Sequence, residues 1–191
     1  MTALALSLAL ALLTPPDAGV CAPPDAPDAA AAARDPSVRE KTLALLGAID
    51  RPIRTETWRA LGPEAVPVLA EVAASDALPT RRALALEGLA ALGGDRAESL
   101  HRSLAADAKE PRTVRRAAVR GLGRLVGADR VDAALRPVLE RDPDRAVRAT
   151  AADVLSRRSP AASCTAIRAQ ARREGSGSSL FSRALAACEG R

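Results

Sequence analysis

Residues 80–92 read TRRALALEGLAAL, and residues 113–125 read TVRRAAVRGLGRL. Laid one over the other, they share Thr80/Thr113, Arg82/Arg115, Ala85/Ala118, Gly88/Gly121, Leu89/Leu122 and Leu92/Leu125. A further step of the same 33 residues places Val147-Arg148 on Val114-Arg115, Ala151 on Ala118 and Leu155 on Leu122. A diverged copy begins at Asp35-Pro36-Ser37-Val38-Arg39, which echoes Asp142-Pro143-Asp144-Arg145-Ala146-Val147-Arg148. Self-similarity at this period marks a stack of identical supersecondary units. None of them can bury its own apolar face, and neighbours bury it for one another.

The segments between the copies carry the second helix of each unit, at residues 63–74, 95–106 and 129–140. Val68 and Val72, Leu100 and Leu104, and Leu135 and Leu139 are each four apart, which puts each pair on one helical face. Gly62, Gly93-Gly94 and Gly127 are read as helix stops. Pro63, Pro111 and Pro143 suit first turns, and Asp95, Asp129 and Asp142 suit caps. Small residues at Ala85, Ala118 and Ala151 are expected where helices approach closely.

Composition agrees with a helical core. Apolar residues make up 48% of the 191, yet Trp58 and Phe181 are the only aromatics. The remainder is mostly Ala, Leu and Val. Ala and Leu favour helices, whereas strands draw on β-branched and aromatic residues. The net charge is +5 and the pI about 10.0. Lys41 and Lys109 are the only lysines, so the positive charge is nearly all Arg. Such a balance fits nucleic acid, an anionic lipid surface or an acidic protein; an Ala- and Arg-rich coding bias would give the same numbers.

The pattern Val-Arg-x-x-Ala, then Gly-Leu and Leu-Gly, resembles the HEAT-like repeats of bacterial proteins, with Leu61-Gly62-Pro63-Glu64-Ala65-Val66-Pro67-Val68-Leu69 as the accompanying second helix. The resemblance spans residues 36–158. It implies an all-α fold, a short right-handed α-solenoid of helix pairs. It also implies a ladder between repeats, made by an Asp in a turn and an Arg in the next helix. Arg82, Arg115 and Arg148 are the candidate rungs. Asp76 and Asp142 stand six residues before Arg82 and Arg148, while the middle repeat has Lys109 there, with Asp107 and Glu110 nearby. Arg81, Arg116, Arg120, Arg124 and Arg145 have no place in that ladder; they are either solvated or a basic stripe on the outer helices.

The leader and the tail frame the stack. Residues 3–13, ALALSLALALL, form an apolar run. It is too short for a bilayer span of about 20 residues and matches the apolar core of a signal peptide, although no Lys or Arg precedes it. We therefore read 1–20 as a signal peptide, with a buried N-terminal helix as the alternative. Residues 21–35 form a Pro-, Ala- and Asp-rich tether. Cys21 is a candidate lipidation site, although Ala18 and Val20 depart from the usual lipoprotein pattern. Residues 159–191 should cap the stack with a helix over 159–173, a loop over 175–179 and a last helix over 180–188 carrying Leu180, Ala184 and Cys188 on one face. In an oxidising compartment Cys164 and Cys188 are placed for a disulfide; the alternative is two buried thiols.

No constellation for catalysis emerges. His101 is the sole histidine and is expected on an exposed helix face. Three cysteines at these spacings do not make a zinc site, and Gly121-Leu122-Gly123 lies inside a repeating helix instead of following a strand. No catalytic, cofactor-binding or metal-binding residue is assigned. The sequence thus points to an exported, periplasmic or envelope-located monomer that binds a protein or peptide, and meets a membrane only through a lipid on Cys21. Its binding face is expected on a concave row of second helices, through Glu64, Glu71, Glu98, His101, Arg102, Asp132, Arg136 and Glu140. The scarcity of aromatics argues against single-stranded nucleic acid. A cytoplasmic duplex binder using the Arg stripe and a bilin-lyase-like role by family analogy are the competing readings.

Overall fold

The computed structural model describes residues 37–48, 52–175 and 179–190, all of them in the compact unit Pro36–Arg191. The segments read as a signal peptide (1–20) and a tether (21–35), with Cys21, lie outside the described residues. Ten α-helices follow in chain order: α1 (Val38–Gly47), α2 (Thr55–Arg59), α3 (Ala65–Ala74), α4 (Pro79–Leu92), α5 (Asp95–Ala106), α6 (Arg112–Leu125), α7 (Val131–Arg141), α8 (Arg145–Arg158), α9 (Pro160–Arg173) and α10 (Ser182–Glu189). A single 3₁₀ turn, Ser179–Phe181, precedes α10.

Local chemistry sets these boundaries. Ser37 and Glu40 form a capping box at the start of α1: the Ser37 hydroxyl accepts from the Glu40 backbone N–H, and the Glu40 carboxylate from the Ser37 N–H. Proline begins α4 and α9, where its missing N–H costs no helical bond. The α4–α5 turn needs two consecutive residues at positive φ, Gly93 at 81° and Gly94 at 92°. The expected aspartate caps are corrected. Asp144, not Asp142, caps α8, accepting from the N–H groups of Ala146 and Val147 at 2.8 and 3.2 Å. Gly94 holds the cap position of α5, with Asp95 already inside the helix, and Arg130 holds that of α7, with Asp129 one residue further out.

The helices stack in two rows of unequal closeness. α4, α6 and α8 pack flank to flank, and α10 extends this row against α8, whereas α3, α5 and α7 barely touch one another. Small residues permit the close row: Ala85, Ala118 and Ala151 are all fully buried. A stack that is tight along one row and splayed along the other bends toward the tight one. The Arg-bearing first helices are therefore the inner row. This reverses the expectation that the second helices form the concave side and that any Arg stripe lies on outer helices.

The core runs continuously between the rows, through Leu69, Leu86, Leu89, Leu122, Leu135, Leu139 and Leu155, all fully buried or nearly so. Each such side chain contributes roughly 1.5–3 kcal/mol by leaving water. The repeated glycine in the first helices is a socket in this core. A Cβ on Gly88 would press on the Trp58 ring and Leu69, and one on Gly121 would run into the His101 ring. At the C-terminal end Phe181, Ala184 and Cys188 are the buried stripe. Leu180, expected on that stripe, belongs to the 3₁₀ turn and is 47% exposed.

Candidate binding surface

The three ladder arginines occupy equivalent places, and the geometry differs from the expected pairing. Each reaches back to carbonyls near its own turn and forward to a carboxylate in the next turn. Arg82 donates to the Ala73 carbonyl at 2.9 Å and pairs with both oxygens of Glu110. Arg115 donates to the carbonyls of Ala108 and Glu110 and forks onto Asp142 at 2.9 and 3.1 Å. Arg148 donates to the carbonyls of Asp142 and Pro143 and pairs with Glu174. That bond raises the Arg148 guanidinium above its ordinary pKa and lowers the Glu174 carboxyl. The Asp142 carboxylate thus pairs with the arginine before it, while Arg148, six residues on, takes only the Asp142 backbone carbonyl. Asp76 is exposed and makes no rung with Arg82. Glu110, in the turn of the middle repeat, gives its carboxylate to Arg82 of the preceding repeat and its backbone carbonyl to Arg115. The ladder is nearly buried, with side-chain exposures of 6% for Arg115 and 4% for Asp142, so it is occupied in holding turns together.

The residues assigned to a binding face on the second helices fall on the outer row, and most are engaged with one another. Glu98 pairs with Arg102 at 2.8 Å and with Arg130 at 3.6 Å. Asp132 pairs with Arg136 and accepts from Ser163 on α9. Arg136 also donates to the Ala162 carbonyl and lies 4.0 Å from Glu140. Glu71 holds Arg39 through two bonds, and the Glu64 carboxylate lies over Gly62.

His101 does not belong to any surface. It is fully buried, with Nδ1 2.7 Å from the Ala97 carbonyl and Nε2 3.1 Å from that of Leu86. The expectation of an exposed histidine fails because residue 101 lies on the α5 face that meets α4 and α6. Gly121, at the repeat position of Gly88, leaves a hole that the His101 ring fills.

The inner row carries a cluster of cations that outnumber their acidic neighbours. Arg116, Arg120 and Arg124 lie four residues apart along α6 and are exposed. The Arg120 guanidinium is lowered from its ordinary pKa, first by partial burial and then by the charges of Arg116 and Arg124. Acidic neighbours answer only weakly, Glu87 lying 3.9 Å from Arg124. Arg116 donates to the Thr150 hydroxyl at 3.0 Å. Beside it opens a groove of about 310 Å³, lined by Arg116, Ala149, Thr150, Asp153, Leu180 and Arg183 among others. Of the remaining arginines considered for a basic stripe, Arg145 is drawn to Glu174 at 3.4 Å and Arg81 is half-buried.

Cys164 on α9 and Cys188 on α10 are joined, with an S–S distance of 2.01 Å across 24 residues of chain. Among the described residues no group of three or more His, Cys, Asp and Glu is arranged to hold a metal ion, and no helix is long and apolar enough to cross a membrane.

The family model for HEAT repeats matches residues 102–178, beginning within α5 and running past the end of α9. No curated protein and no solved structure matches the chain.

Proposed function

We propose that this HEAT-like repeat protein is an exported, non-catalytic scaffold that binds another protein along its solenoid surface. The observation that carries the reading is the division of labour among its charges. The ladder arginines and most outer-row acids are engaged within and between repeats, while the inner row presents three cations, Arg116, Arg120 and Arg124, against the single weak acidic partner Glu87. HEAT repeats typically mediate protein interactions, which supports the coarse reading. Export rests on the apolar run at residues 3–13 and on the pairing of Cys164 with Cys188, a bond that suits an oxidising compartment. Lipidation of Cys21 and a monomeric state belong to the same proposal.

The test is site-specific photo-crosslinking in the protein's own cells, combined with fractionation. A crosslinker replaces Thr113, on the inner row, or Ser99, on the outer row; both positions are exposed. We expect discrete protein adducts from position 113 in the envelope fraction and few from position 99. Adducts from neither position would defeat the scaffold reading, and a purely cytoplasmic product with its leader intact would defeat export.

A further inference from the structure

We infer that the inner-row surface along α6, from Arg124 through Arg120 and Arg116 to the groove at Leu180 and Arg183, takes an extended acidic segment of a partner protein. This rests on the scaffold reading and names the chemistry of its partner.

Spacing comes first. Residues four apart on a helix are separated by about 6 Å along its axis. In an extended chain, alternate side chains share a face and recur at about 6.6–6.8 Å. An Asp or Glu at every second position can therefore set one carboxylate against each of Arg116, Arg120 and Arg124. Arginine suits that task, since its planar fork meets a carboxylate through two parallel hydrogen bonds.

Charge points the same way. Arg116 and Arg124 both repel the Arg120 guanidinium and Glu87 is the one acid set against them, so an anionic guest lying along the column gains by offsetting that charge. The flanks of the column are lined by small side chains, Ala83, Ala90 and Ala117 on one side and Ala146 and Ala149 on the other, so a backbone can approach closely. Leu180 stands 47% exposed at the far end of the groove, beside Arg183, and offers an apolar contact to a partner side chain. A peptide is favoured over a nucleic acid because Glu87 and Asp153 border the column. Their carboxylates can accept hydrogen bonds from the amides of an extended peptide, donors that a phosphate backbone lacks.

The experiment measures fluorescence anisotropy with a labelled ten-residue peptide carrying Asp or Glu at alternate positions and Leu at one end. A Lys-substituted peptide and a mixed-sequence DNA duplex serve as comparisons. The protein is the oxidised full chain and two variants, R116Q/R120Q/R124Q on the inner row and R102Q on the outer row. The triple variant relieves like-charge repulsion, so it should melt no lower than the parent. We expect the acidic peptide to bind the parent, to weaken with added salt, and to lose at least about tenfold in affinity in the triple variant, equivalent to about 1.4 kcal/mol, with R102Q binding like the parent. No binding of the acidic peptide overturns the inference, as does equal loss in both variants. Duplex DNA binding through the same arginines, with the peptide unable to compete, overturns it in favour of nucleic acid. Should crosslinks form from position 113 while the peptide fails, the scaffold reading stands and only the acidic partner falls.

Discussion

Both ring nitrogens of His101 face carbonyl oxygens, yet a neutral imidazole has one N–H. The shorter contact assigns the proton to Nδ1, donating to Ala97, and leaves the Nε2 lone pair against the Leu86 carbonyl. A second proton would satisfy both contacts, but burial opposes the charge more strongly, and Arg124 adds to the opposition. The folded pKa is therefore below the ordinary 6.5. Below that pH the unfolded chain binds a proton that the native chain refuses, so stability falls as pH falls through the window beneath 6.5. Urea unfolding of the parent and of His101→Gln should show this: the variant loses stability at every pH but has the flatter profile between about pH 5 and 7. A parallel pair of profiles would mean that His101 takes its proton in the fold. Gly121 supplies a second check. His101 is fully buried and held by its bond to the Ala97 carbonyl, so it has no room to swing aside, and Gly121→Ala should cost about 1–3 kcal/mol despite alanine's better helix propensity. Gly47→Ala, which meets nothing within 4 Å, should be neutral or slightly stabilising in the same melts. The glycine was legible as a mark of the repeat. Its partner was not, because a single histidine on an amphipathic helix looks the same whether it fills a socket or meets water.

At the scale of elements, the ladder separates periodicity from pairing. A period of 33 residues located Arg82, Arg115 and Arg148 on the sequence alone, since equivalent side chains in equivalent helices must meet equivalent surroundings. The carboxylates were misassigned because a turn six residues upstream looked nearer than one in the following repeat. A helix pair returns the chain to the same end of the stack, which brings the next turn alongside. The overlooked signal is an acid directly before a proline, in Glu110-Pro111 and Asp142-Pro143; Leu78-Pro79 breaks it, and Leu78 is 68% exposed. The buried rung should behave unlike the surface pairs. Arg115→Met strands Asp142 without its partner and should cost about 3–5 kcal/mol, whereas Arg115→Met with Asp142→Leu should recover most of that loss. A double-mutant cycle by denaturant melts measures the difference. Arg39→Ala, which breaks a pair with both side chains more than half exposed, should leave the melt almost unchanged.

For the whole molecule the vulnerable point is the open end of the stack, because a terminal repeat has a neighbour on one side only. The period fixed the stack and its direction of growth from sequence, but not which row is inner, since curvature depends on how closely each row packs. The C-terminal end is closed by α9 and α10 and the bond between Cys164 and Cys188. Closing a loop of this length restricts the unfolded chain by about 3 kcal/mol. Its loss should also act locally. Glu174, the carboxylate of the last rung, stands just after α9, and Leu180 and Arg183 of the groove stand in or beside the turn that leads into α10. Fraying of this cap would therefore release Arg148 and dismantle one end of the proposed binding groove together. Reduction, or Cys164→Ser with Cys188→Ser, should lower the melting temperature and speed amide hydrogen exchange in α9 and α10 far more than in α4 to α6. The acidic peptide should bind the reduced protein more weakly while still sensing Arg116, Arg120 and Arg124. If exchange instead rises evenly along the stack, the bond stabilises the fold as a whole and the cap does not fray as a unit. If neither exchange nor melting responds, packing of Phe181 and Ala184 alone closes the end.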